Sequence, residues 1–232
     1  MSDCYAHIVQ NPPPHAIRCL KDAGPSSLWL IHRPSQELRT LKRWLFSPSL
    51  IAKYIIGISQ PQRQVRGAIR AAKAGVDIAN IAGQPRFIWK YGVPNIEMEL
   101  DYIKGCSALD AFRANSLSDQ ELRSVARLLG QIVAKLAVAG FFHRDLTLSN
   151  IIIAEGRDPI VLQLIDTVGI RQMRRSIPEF ARMLERLAVQ PASEKIDIPS
   201  TIWMPLLLEA LRPLAGHNRR GVLCWLKEHR QL

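Results

Sequence analysis

The chain contains no apolar run of the roughly 18 residues that a membrane span needs. Its first residues, MSDCYAHIVQNPPPHAIR, hold no apolar signal core, so the expectation is a cytoplasmic chain, neither secreted nor membrane-spanning by a signal of its own. Cysteine is scarce: Cys4, Cys19, Cys106 and Cys224 stand far apart, with no CxxC pair. They read as reduced thiols, which excludes a disulfide scaffold and a zinc site built on them. Aromatic residues make up only 6%, and no stacking motif or recognition-helix pattern accompanies the basic residues, which argues against nucleic acid as a partner. There is no internal repeat. Two shortages are local: residues 38 to 76 contain no carboxylate, and no Gly-x-Gly-x-x-Gly occurs anywhere.

What is present is the composition of an ordinary globular protein, 47% hydrophobic and 22% charged over 232 residues. That length allows one large domain or two small lobes. The charge is one-sided, with 31 Lys and Arg against 20 Asp and Glu, a net of +11. Residues 1 to 96 hold 13 basic and 4 acidic side chains, net +9, whereas residues 97 to 232 hold 18 and 16, net +2. Such an excess implies contact with something anionic, a nucleotide, nucleic acid or a membrane surface, and says nothing about fold.

Along the chain, residues 1–15, with the NPPP of positions 11 to 14, read as a flexible lead-in. Ala16 to Leu20, Leu28 to His32 and Leu38 to Leu45 are expected strands, joined by the turn-rich KDAGPSS and RPSQE in an antiparallel meander. Ser47 caps a short expected helix to Tyr54, and Arg63 to Ala74 forms a second, stopped by Gly75. Strands Phe87 to Tyr91 and Ile96 to Leu100 complete a five-stranded unit over residues 16–101. Beyond Tyr102 the pattern turns helical, through residues 102–232. Ser118 with Glu121 makes a capping box, and Leu122, Val125, Leu129, Ile132 and Leu136 follow at spacings of three and four up to Gly140. A hairpin is expected from Ile151 to Ile153 and Val161 to Ile165. Helices are expected from Ser176 to about Gln190, over 201 to 214 and over 219 to 229. The fold class is therefore α+β, a small antiparallel β-rich lobe followed by a mainly helical one.

The informative stretch is His143-Arg144-Asp145-Leu146-Thr147-Leu148-Ser149-Asn150, followed by an apolar strand and then Leu164-Ile165-Asp166-Thr167-Val168-Gly169. Phosphoryl transfer from a nucleotide needs a carboxylate beside the acceptor hydroxyl and oxygen ligands for Mg²⁺. Asp145, Asn150 and Asp166 supply those groups. Asp145 taken alone is equally a turn carboxylate; the three together make a site. His143 reads as a packed histidine rather than a proton-transfer group.

These residues resemble the protein-kinase-like fold, whose signature is a His-Arg-Asp catalytic loop ending in Asn and a metal-binding Asp-Phe-Gly. More closely, DLTLSNIII, LIDTVGI and the later FARMLERL resemble the lipopolysaccharide kinase family, small bacterial kinases that phosphorylate Kdo or heptose in the lipopolysaccharide core. The resemblance covers residues 16 to about 190 and is strongest from 141 to 169. It implies a two-lobed kinase-like fold, ATP and Mg²⁺ as cofactors, and a sugar or glycolipid acceptor at the inner membrane face. It implies too that Asp145 orients or deprotonates the acceptor hydroxyl, that Asn150 and Asp166 bind Mg²⁺, and that His143 and Gly169 support the loop structurally. The nucleotide lysine of the family lies on its third strand, where Arg39-Thr40-Leu41-Lys42 fits. Period-two alternation places Thr40 and Lys42 on one face and turns Arg43 away. Lys53, on an expected helix, is the competing candidate.

The pattern is broken in several places. Gln64 occupies the position of the helix Glu that pairs with the lysine, where it can hydrogen-bond but cannot neutralise it. In place of a glycine-rich loop, the first turn offers Gly24 and the hydroxyls of Ser26 and Ser27. Thr147 stands where many such enzymes have a lysine, leaving Arg144 or Arg171, Arg174 and Arg175 to meet developing charge. Ser176-Ile177-Pro178-Glu179 comes seven residues after Gly169, too soon for a regulatory loop or peptide platform, which points to a small or lipid-linked acceptor. Two rivals remain: a nucleotide-binding pseudokinase or sensor, and an aminoglycoside-type small-molecule phosphotransferase, a group that usually has Gly-Asp after the His.

Overall fold

The computed structural model describes residues 12–22, 26–35, 37–45, 47–90, 93–196, 198 and 200–229. Strands β1 (Ala16–Asp22), β2 (Ser26–His32), β3 (Leu38–Leu45), β4 (Arg86–Lys90) and β5 (Val93–Asp101) form one antiparallel sheet in the order β1-β2-β3-β5-β4. The meander and the five-strand count agree with the sequence pattern; Tyr91, the last residue of one expected strand, lies outside the described residues. Buried Trp29, Ile31 and Leu41 cluster in this sheet. Register places opposite charges across neighbouring strands: Arg43 faces Glu97 and Arg39 faces Asp101. Both pairs close, Arg43 Nε donating to Glu97 Oε1 at 2.8 Å.

Helix α1 (Pro48–Ile55) starts at the expected cap, with the Ser47 hydroxyl accepting from the Leu50 N–H at 3.1 Å. Tyr54 Oη donates to the Pro85 carbonyl. Helix α2 (Gln60–Lys73) starts three residues before its expected position. The Gln62 side chain accepts from the Ser59 N–H and hydroxyl, and Pro61 sits in the first turn, which together make an N-terminus. Its end is as expected. Gly75, at φ +69°, donates to Ala72 O while Val76 N–H donates to Ala71 O, the two bonds of a Schellman motif.

The remaining elements are β6 (Gly105–Ser107), α3 (Ala108–Arg113), α4 (Asp119–Val138), β7 (Phe141–His143), β8 (Ile151–Ala154), β9 (Leu162–Leu164), β10 (Ile170–Gln172), α5 (Ser176–Ser193), α6 (Ser200–Leu211) and α7 (Gly216–Glu228). The Ser118–Glu121 capping box is present on α4, its two halves made by the Glu121 carboxylate on the Ser118 N–H and the Ser118 hydroxyl on the Glu121 N–H. The expected hairpin is β8–β9, widened by β6 to three strands. At the start of α5 the cap differs from expectation: Arg175 is the cap residue and offers no side-chain bond, and the Glu179 carboxylate reaches back to the Arg174 and Arg175 N–H groups. The core runs through Leu129, Val133, Leu136, Leu146, Leu148, Ile151, Leu164, Phe180, Met183 and Leu187. A Cβ at Gly130 on α4 would lie 2.3 Å from the Leu206 carbonyl of α6, so only glycine permits that packing.

By contact density the chain divides into Met1–Val65 with Ala79–Tyr102, and Arg66–Ile78 with Ile103–Leu232. The segment Arg66–Ile78 thus groups with the helices, although the sequence reading kept it with residues 16–101. The reason is its packing: the Arg70 guanidinium donates to Ile170 O, and Leu164 N–H donates to Asp77 O. No helix among the described residues is long and apolar enough to cross a membrane.

Candidate active site

In the helical unit the site is built on two short strands, β7 and β10, paired antiparallel with His143 opposite Ile170. His143 ends β7 and is 1% exposed. Its Nδ1 accepts from the Asp145 N–H at 3.1 Å, so the ring proton is on Nε2, which donates to the Asp166 carbonyl at 2.7 Å. Burial pushes the imidazole below its ordinary value, against the pull of Asp166 and Asp145, and keeps it neutral. One uncharged ring therefore holds the backbone at both carboxylate-bearing positions. A Cβ at Gly169 would lie 2.9 Å from that ring, so the glycine is what lets the imidazole fit. The structural roles expected of His143 and Gly169 have this geometry beneath them.

Asp145 follows on a turn, half-buried. Burial raises its carboxyl, but the Arg144 hydrogen bonds and charge, with the charge of Arg186, outweigh this and hold it below its ordinary value. Arg144 Nε and Nη2 both donate to Asp145 Oδ2, at 2.9 and 2.8 Å, which leaves Oδ1 for another donor. Asn150 closes the loop, its Nδ2 donating to the Asp145 carbonyl at 3.1 Å and its carbonyl accepting from Ile165 N–H. That bond engages the Asn150 side-chain nitrogen and not its oxygen. Asp166 Oδ1 accepts from the Val168 N–H, turning the chain sharply after β9.

Asn150 and Asp166 are an amide oxygen and a carboxylate, hard donors that suit Mg²⁺ completed by phosphate oxygens and water. Among the described residues no three His, Cys, Asp or Glu side chains gather as a ligand set, so a cation here needs the amide and outside oxygens.

In the sheet unit Lys42 and Thr40 share one face of β3, as alternation requires, and Arg43 turns to the other face, to Glu97. Lys42 Nζ donates to Gln64 Oε1 at 3.1 Å, and Gln64 is 1% exposed. Lys53, the competing candidate, is exposed on α1. Gly24 lies outside the described residues. Ser27 is 2% exposed and its hydroxyl accepts from the Trp29 indole at 2.8 Å, so of the first turn's two hydroxyls this one is spent within the sheet. Arg171, Arg174 and Arg175 are exposed.

Several residues that shape the site escaped the sequence reading. Gly67 of α2 is one: a Cβ there would meet the Thr167 carbonyl at 1.8 Å, directly after Asp166. Its signal was the run of small residues Gly67, Ala68 and Ala71 on one helical face. Gln190 of α5 accepts from the Ser149 N–H and steadies the turn before Asn150. Arg186, whose charge lowers Asp145, carried no readable signal beyond a basic residue on a helix. No protein-family model matches the chain, and no curated protein matches it.

Proposed function

We propose that the chain is an ATP- and Mg²⁺-dependent phosphotransferase of the two-lobed protein-kinase-like fold, acting on a sugar hydroxyl of a lipopolysaccharide-type glycolipid from the cytoplasmic face of the membrane. The observation that carries this reading is the neutral His143 ring bound to the backbone of both Asp145 and Asp166, with Asn150 tied to Asp145. That arrangement presents one carboxylate beside an acceptor and two oxygen donors for a cation. Bound nucleotide and Mg²⁺ supply the electrophilic phosphoryl group and neutralise its charge. Asp145, kept ionised by Arg144, accepts the hydrogen bond of the acceptor hydroxyl and takes its proton as the phosphoryl group leaves for that oxygen. Asn150 and Asp166 hold the cation, and Lys42 orients phosphate. The short interval between Gly169 and α5 favours a small or lipid-linked acceptor over a protein chain.

The purified chain with Mg-ATP and a Kdo-bearing glycolipid acceptor is expected to release ADP, and Asp145→Asn is expected to slow turnover about 10²- to 10⁴-fold with thermal unfolding unchanged. Retained turnover in that variant overturns the assignment. A second reading, a nucleotide-binding pseudokinase or sensor, is favoured by one observation: the α2 side chain that accepts from Lys42 Nζ is the uncharged Gln64. It predicts ATP-dependent thermal stabilisation without transfer to any acceptor.

A further inference from the structure

Outside the groups assigned above, one cleft within the sheet unit has donors in its walls that lack acceptors. It measures about 380 Å³ and lies among the end of β3, α1 and the first turn of α2, with Trp44, Ser47, Ser49, Lys53 and Arg63 around it. Trp44 is 2% exposed, yet its indole Nε1–H meets no acceptor among the described residues, and Arg63 Nε is buried in the same condition. Buried donors are almost always paired, because an unmade hydrogen bond forfeits the hydration that burial removed. Two such donors on one cleft mark the place of an acceptor that enters from outside.

The charge identifies the acceptor's class. Lys53 and Arg63 are both cationic, and residues 38 to 76, which supply this lining, contain no carboxylate to answer them. Water would satisfy a donor, but an anion also answers two positive charges. A carboxylate brings one charge and two coplanar oxygens, whereas the donors here come from three elements, β3, α1 and α2. A dianionic tetrahedral group fits the charge, and its several oxygens can be reached from more than one element. The volume falls within the roughly 300–1,000 Å³ of small-molecule sites, leaving room for what the group is attached to.

We infer that this cleft binds a phosphate group, as inorganic phosphate or as the phosphomonoester of a small sugar phosphate. The site is separate from the Lys42–Gln64 contact: Lys42 Nζ lies over the Trp44 ring, 5.2 Å from its centroid, and neither Lys42 nor Gln64 lines the cleft. The inference does not rest on the phosphotransfer reading, and its test needs neither nucleotide nor acceptor.

The experiment titrates the full chain, free of nucleotide and Mg²⁺, with inorganic phosphate and in parallel with glucose 6-phosphate. Ionic strength is held constant with KCl, and both thermal unfolding and tryptophan fluorescence are read. A saturable rise in Tm is expected with at least one of the two, and which one saturates identifies the source of the phosphate. Arg63→Met is expected to weaken binding about tenfold, the loss of one charge-assisted donor. Lys53→Met changes an exposed residue and should weaken binding in the same direction. Lys42→Met should leave it intact. Absence of a saturable response to either compound, or an equal response to KCl alone, overturns the proposal. So does unchanged affinity in the Lys53→Met variant, or loss of binding in Lys42→Met, which would put the phosphate at the lysine instead.

Discussion

The sheet of one unit and the loop around Asp145 and Asp166 in the other are fixed by different means. In the sheet, carboxylates are answered by side chains: Glu97, Glu99 and Asp101 on β5 pair with Arg43, Arg33 and Arg39. In the helical unit, the backbone around Asp145 and Asp166 is fixed by an uncharged imidazole, and Asn150 bonds a carbonyl rather than a charge. The first arrangement consumes charge to set strand register. The second fixes backbone and leaves carboxylate oxygens to meet something from outside. The contrast also revises the charge asymmetry. Counting to residue 96 cuts through β5 and takes in Arg66–Ile78, which groups with the helices; over residues 16–65 and 79–102 the sheet unit holds 10 basic and 5 acidic side chains, net +5. Those three arginines hold the sheet together, and the cations left to meet an anion are fewer, Lys53 and Arg63 among them.

The sharpest way to break this contrast is Arg43→Met. With side chains 3% and 13% exposed, the Arg43–Glu97 pair is buried, and removing one partner strands the other's charge, at a cost of about 3–5 kcal/mol in urea unfolding. A loss below about 1 kcal/mol would show that the pair is not what holds β3 to β5.

An intermediate effect comes from acid. Because burial holds His143 below its ordinary value of about 6.5, the unfolded chain binds this proton before the folded one does, so stability present above that value is lost as pH falls below it. Between pH 7.5 and 5.5 the wild type should lose about 1 kcal/mol more than His143→Gln, as measured by chemical unfolding at each pH. Equal losses would mean that the ring is not buried neutral.

The smallest effect belongs to the partly exposed Arg33–Glu99 pair. Arg33→Ala should cost under about 1 kcal/mol and less again in high salt, because exposed pairs are screened. A larger, salt-independent loss would make exposure the wrong way to rank the sheet's pairs.

Much of this organisation was legible where the physics is local. The Ser118–Glu121 box, the Gly75 stop and the alternation that turns Lys42 one way and Arg43 the other all follow from residues within four positions of each other. The hydrogen bond of Lys42 to Gln64 was legible too, because residues 38 to 76 offer no carboxylate in its place. Strands β6, β7 and β10 were not legible: three residues show no period, and Phe141–His143 finds its partner only at Ile170–Gln172. The early start of α2 was readable from Ser59, Pro61 and Gln62, but the periodic apolar face begins later and drew the boundary with it.

Gly67 has a consequence for recognising other chains of this kind. Since the Thr167 carbonyl occupies the space of any side chain at that position, the helix tolerates a single residue type there, three places after Gln64. A search pattern made only of His143, Asp145, Asn150 and Asp166 describes any loop of this chemistry. Adding Gln-x-x-Gly at a fixed place upstream describes this one, and separates a true sequence cousin from a chemical look-alike.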